Sequence, residues 1–153
     1  MAINYLKKYL SKEDLEEIKN EIAEIEKFTS AEIRLCLKLR KGFHERNKSY
    51  RDLALKEFYK LGVDKTEDKT GILIYILFLD RKFEIIADEG INSKINSEKW
   101  SIIISHIKNE FSQNNYKTGI IKILIEMKEV LINYFPHKEN DKNELPDDII
   151  IEK

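Results

Sequence analysis

Apolar residues recur at spacings of three and four through Leu15, Ile18, Ile22 and Ile25, just behind Ser11 and Asp14. This is the helical period, and Ser11 followed three residues later by Asp14 is a variant of the capping box, whose side chains satisfy the orphan N–H groups of a first turn. After Thr29-Ser30 the period changes to two. Ile33, Leu35, Leu37 and Leu39 alternate with polar positions over residues 31–39, which predicts a strand with one apolar and one polar face. Ser49 opens a second helical pattern with Asp52 in its first turn, Ala54, Phe58 and Leu61 on one stripe, and Gly62 where a left-handed cap belongs. A charged loop, 63–70, follows. Ile72 to Leu79 is apolar at every position, which fits a central strand covered on both faces. Asp80-Arg81 turns the chain into a hairpin partner over 82–88. A third helix starts near Ser97 with Trp100, Ile103, Ile104, Ile107 and Phe111 as its core stripe. A fourth, about 116–134, is apolar on more than one side and is expected to be deeply buried or to lie against a partner.

The order helix, strand, helix, strand, strand, helix, helix contains one β-α-β crossover, which makes its strands parallel. The expected fold is α/β, a three-layer α/β/α arrangement with a small mixed sheet containing one crossover and one hairpin. The expected organisation is one domain over residues 1–135 and a polar, mobile tail over 136–153, where the chain becomes rich in Lys, Glu, Asn and Asp.

With 153 residues, 42% of them apolar and 36% charged, the chain has enough apolar surface for one core and too much for disorder. A formal net charge of −1 argues against a dedicated nucleic-acid binder. The longest apolar run, eight residues, is far short of the roughly 20 that span a bilayer. The N-terminus carries its lysines behind rather than ahead of the apolar residues, with no cleavage site, so the chain reads as cytoplasmic. Its single cysteine, Cys36, excludes an intramolecular disulfide and a Cys-rich zinc module.

Nucleophile signatures are missing: there is no G-x-S-x-G elbow, Walker loop or G-x-G-x-x-G. Cys36 lies on a strand and reads as a packing thiol, Asp80 as a turn former, and His44, His106 and His137 as solvated. One constellation remains. The hairpin returns the end of the third strand to the end of the sheet where the second begins, so Asp88 and Glu89 are expected to meet Asp64 and Asp68, with Glu32 nearby. Carboxylates brought together repel unless compensated, and hard oxygen ligands suit Ca²⁺ or Mg²⁺. The plainer reading, which charge patterning alone favours, is a solvated loop neutralised by Lys65 and Lys69. The competing end of the sheet is Asp80 with the 40–49 loop, at the strand carboxyl ends where α/β proteins usually bind ligands.

Taken in order, the segments resemble the TPM domain family. The resemblance is carried by Thr29-Ser30-Ala31-Glu32-Ile33-Arg34, by Ala54, Phe58 and Leu61-Gly62, and by Gly71-Ile72-Leu73-Ile74-Tyr75. The run from Asp80 to Ile91, then Trp100, Phe111, Gly119-Ile120 and Phe135-Pro136 continue it. The ending Asn143-Glu144-Leu145-Pro146-Asp147 is similar to that of a short, soluble bacterial subgroup. It implies a compact α/β/α domain, divalent-cation binding as in several members, and the acid-phosphatase activity reported for the plant branch.

Two main readings result. In the first, Ca²⁺ or Mg²⁺ orders the acidic loops through Asp64, Asp68, Asp88, Glu89 and Glu32, and the domain acts as a module that engages a protein partner. In the second, the ion serves a metal-assisted phosphomonoesterase, which also needs a cationic clamp, with Arg34 or Lys65 as candidates. A third is a structural partner protein using the apolar fourth helix. The missing nucleophile favours the first, with no catalytic residue assigned.

Overall fold

A computed structural model of the chain describes residues 6–138 and 149–152. Helix α1 (Lys12–Glu26) begins at Ser11, whose Oγ accepts from the Asp14 N–H at 3.0 Å while the Asp14 carboxylate accepts from the Ser11 N–H at 2.9 Å. The capping box forms as read. Strand β1 (Glu32–Lys38) leads through a short 3-10 turn at Phe43–Glu45 into α2 (Tyr50–Lys60), capped by Ser49 Oγ on the Asp52 N–H. Strands β2 (Gly71–Leu77) and β3 (Lys82–Ala87) form the hairpin. Gly62, at φ +73°, ends α2 as its position predicts.

A four-residue helix, α3 (Glu89–Asn92), which period alone does not reveal, follows β3 directly. Then α4 (Ser97–Ser112) and α5 (Tyr116–Tyr134) pack on each other, and α5 also meets α1. Most of its apolar surface is used inside the fold, with Ile120, Ile123, Leu124, Met127 and Leu131 all buried, while Ile125 and Tyr134 are exposed. The chain then returns as β4 (Ile149–Ile151), beside β1.

The sheet has the order β3-β2-β1-β4, with β1 parallel to β2 and β4, and β2 antiparallel to β3. Ile33, Leu35, Leu37, Ile72, Ile74 and Ile76 point to one side, into the core shared with α1, α4 and α5. Cys36, Leu73, Tyr75 and Leu77 point to the other, under Leu53, Ala54 and Phe58 of α2. Helices therefore cover both faces of β2, as its unbroken apolar run demands. The α/β/α layering with one crossover and one hairpin stands, enlarged by β4.

Two readings need correction. The alternate face of β1 is not a solvated polar face, since Glu32, Arg34 and Lys38 are all buried, Arg34 against Glu26 at the end of α1 and Lys38 against Glu45 of the 3-10 turn. The segment 136–153 is not a tail throughout: Ile149–Ile151 pair with Leu35, Cys36 and Leu37. Apolar Ile149-Ile150-Ile151 is itself a short strand pattern, overshadowed by the charged residues before it. The Asn143–Asp147 resemblance lies outside the described residues. Among the described residues no helix is long and apolar enough to cross a membrane.

Candidate metal sites

The end of the sheet that receives the 63–70 loop is assembled by close backbone approaches. A Cβ at Gly71 would collide with the Val63 carbonyl oxygen, and one at Gly90 with the Asp68 and Lys69 carbonyl oxygens. Only glycine lets the loop lie on the starts of β2 and α3. The Glu32 N–H donates to the Thr70 carbonyl at 3.1 Å, and the Asp88 N–H to the Gly71 carbonyl at 2.9 Å. Thr70 is fixed in turn, its N–H donating to Thr66 Oγ1 at 2.9 Å.

The five carboxylates read from the sequence fare differently at this end. Asp88 is the N-cap of α3, and its Oδ1 accepts the Glu89 N–H at 2.8 Å, while Oδ2 is buried with no hydrogen-bond partner among the described residues. Asp64 also has one buried oxygen, Oδ1, without a partner among them, and Lys65 Nζ lies 3.9 Å from its other oxygen. Asp68 is exposed and paired with Lys138. Glu89 is exposed on α3. Glu32 is drawn away: its carboxylate lies 3.3 Å from the Arg34 guanidinium, which also holds Glu26 at 3.0 Å and the Ile33 carbonyl at 2.6 Å. Arg34, only 2% exposed, is committed to this network.

At the opposite end, Asp80 accepts from the Lys41 N–H at 3.3 Å and the Tyr50 hydroxyl at 3.2 Å, and shares a pocket with Arg40, Lys41 and Arg46. Those partners satisfy the carboxylate and make a surface suited to anions rather than cations.

Among the described residues, one group alone brings three His, Cys, Asp or Glu ligand atoms within 4.8 Å of one another, and it is not the acidic loop. It consists of Cys36 from β1, Glu57 from α2 and Glu152 just past β4. Cys36 is wholly buried, and burial, followed by the Glu152 and Glu57 carboxylates, pushes its thiol ionisation far up. Burial and then Glu152 also raise Glu57, with Lys60 opposing. Lys60 lies 3.6 Å from Glu57 and 3.4 Å from Glu152, and those two charges raise it. One signal for this cluster was present in the sequence, since Glu57 falls on the buried stripe of α2 with Leu53, Ala54 and Phe58. Its partner Glu152 was hidden in the apparent tail.

No protein of curated function matches the chain. The solution structure of the BA42 protein from the psychrophilic bacterium Bizionia argentinensis is similar at 32% identity, covering 93% of this chain and 94% of that one, with a TM-score of 0.83. The N-terminal domain of a P. gingivalis protein shares the fold at 20% identity and a TM-score of 0.68, covering 86% of this chain and 83% of that one. The sequence pattern of the TPM domain matches residues 3–130, most of the chain, so the protein belongs to the TPM domain family.

Proposed function

We propose that this TPM domain binds a hard divalent cation, Ca²⁺ or Mg²⁺, between the 63–70 loop and the β3–α3 junction, and acts through what it holds there. The observation that carries the reading is a pair of buried carboxylate oxygens with no hydrogen-bond partner among the described residues, Asp64 Oδ1 and Asp88 Oδ2, contributed by two segments that Gly71 and Gly90 let approach closely. An acceptor left unsatisfied in the interior costs about 1–3 kcal/mol, which a bound cation would recover. Aspartate oxygens are the donor set such ions prefer. Asp68 and Glu89, both exposed, are the residues that would complete the shell or meet a partner. Glu32 supports the site from behind by anchoring Arg34.

Metal-assisted phosphoester hydrolysis is the weaker reading, because a phosphate clamp needs a cation free to meet substrate. Of the two candidate clamps, Arg34 is engaged by Glu26, Glu32 and the Ile33 carbonyl, and the exposed Lys65 lies beside the Asp64 carboxylate at 3.9 Å. A buried free thiol fits a reducing compartment, so the reading carries a cytoplasmic location. Isothermal titration of the EDTA-treated protein with Ca²⁺ and Mg²⁺ tests it. Saturable binding that Asp64→Asn and Asp88→Asn each weaken supports the site, and heat-silent titration with an unchanged melting temperature rejects it.

A further inference from the structure

The polar layer between the sheet and α2 has no role in the cation site described above. It lies about 13 Å along β1 from Glu32, four residues at about 3.3 Å each. Its ligand atoms come from three elements that are distant in sequence. Cys36 Sγ and Glu152 Oε1 are 3.5 Å apart, and all three groups fall within 4.8 Å of one another. A tetrahedral zinc ion with bonds of about 2.3 Å to sulfur and about 2.0 Å to oxygen spans a sulfur-to-oxygen edge of about 3.5 Å. The spacing already present is that edge.

Two further atoms point to a ligand. Glu57 is 6% exposed, yet its Oε2 has no hydrogen-bond partner among the described residues. Tyr75, paired with Cys36 across β1 and β2 and wholly buried, has a hydroxyl likewise without a partner among them in the same layer, where Cys36, Glu45, Glu57 and Glu152 act on it. Two unmet polar atoms in one buried layer are costly, and packing alone does not require them.

We propose that Cys36, Glu57 and Glu152 form a second metal site, for a borderline divalent transition ion of the Zn²⁺ class, that fastens the C-terminal strand to β1 and α2. The thiolate selects such an ion over Ca²⁺ or Mg²⁺. Three ligands leave a fourth position for water or for the Tyr75 hydroxyl. Binding displaces the thiol proton, and the remaining net negative charge of the filled site is met by Lys60, with Lys38 also facing the layer from β1. Glu45 sits on Lys38 at 2.9 Å and limits that cation's share.

Co²⁺ is the probe, because a thiolate bound to it gives a near-ultraviolet charge-transfer band that carboxylates alone do not. Titration of the EDTA-treated, reduced protein should produce this band and saturate at one equivalent. Cys36→Ala should abolish it. Glu152→Gln, at a partly exposed position where folding is not at stake, should weaken Co²⁺ binding by at least the roughly tenfold that loss of even an outer-shell partner costs a metal site. The band should persist in Asp64→Asn/Asp88→Asn, which separates this site from the acidic one. Absence of the band from the folded native protein would overturn the proposal, as would a band whose saturation is unchanged in both Glu57→Gln and Glu152→Gln.

Discussion

Asp88 divides its work between two oxygens. Oδ1 caps α3 and Oδ2 is left buried with no hydrogen-bond donor among the described residues. Asparagine caps a helix about as well as aspartate, so Asp88→Asn should leave stability in EDTA within about 0.5 kcal/mol of the native value. The rise in melting temperature that Ca²⁺ gives the native protein should disappear in the variant, and parallel thermal melts measure both. Arg34 makes the opposite case, a charge whose role is internal. Its removal takes the guanidinium away from Glu26 and Glu32 in a nearly dry site, and breaking a buried pair in this way costs about 3–5 kcal/mol. Arg34→Ala should lose that much in urea denaturation; a loss under about 1 kcal/mol would show that water reaches the pair.

Among the elements, α2 and β4 are joined by a carboxyl pair rather than by apolar contact alone. Glu57 titrates above the ordinary carboxyl range because burial and Glu152 disfavour its charge, against the pull of Lys60 and Lys38. A folded pKa above the unfolded one means that the native state holds the extra proton, so stability falls as pH rises from about 4.5 through the raised value. Glu57→Gln cannot lose that proton, and its melting temperature, measured with EDTA present, should decline less over that interval. The α-helices and β1 to β3 were legible in the sequence because their faces differ in period. The short α3 was not, since four residues carry no period. Nor was β4 recognised, three isoleucines being weighed against a long charged approach. The acidic end was legible by topology, as the hairpin must bring Asp88 back toward the 63–70 loop. That Glu32 would turn to Arg34 depended on the burial of the second, polar face of β1, which alternation alone does not reveal. Cys36, Glu57 and Glu152 could not be joined without β4.

Over the whole molecule, the two ends of the sheet have opposite character. The Asp80 end carries Arg40, Lys41 and Arg46 around one pocket, while the 63–70 loop and the β3–α3 junction at the other end carry Asp64, Asp68, Asp88 and Glu89. Among the described residues the acidic end offers no arginine free of carboxylate partners, so hydrolysis of p-nitrophenyl phosphate with Mg²⁺ present should stay at the rate of the no-enzyme control. Turnover that depends on metal and vanishes in a folded Asp88→Asn protein would instead establish the phosphatase reading. The cation site itself is tested most directly by amide NMR during titration of the EDTA-treated protein with Ca²⁺ and then Mg²⁺. Shifts should concentrate at residues 64–70 and 88–90 and be absent from Asp64→Asn/Asp88→Asn. Shifts confined to residues 40–49 and 80–82, or none anywhere, would contradict the account.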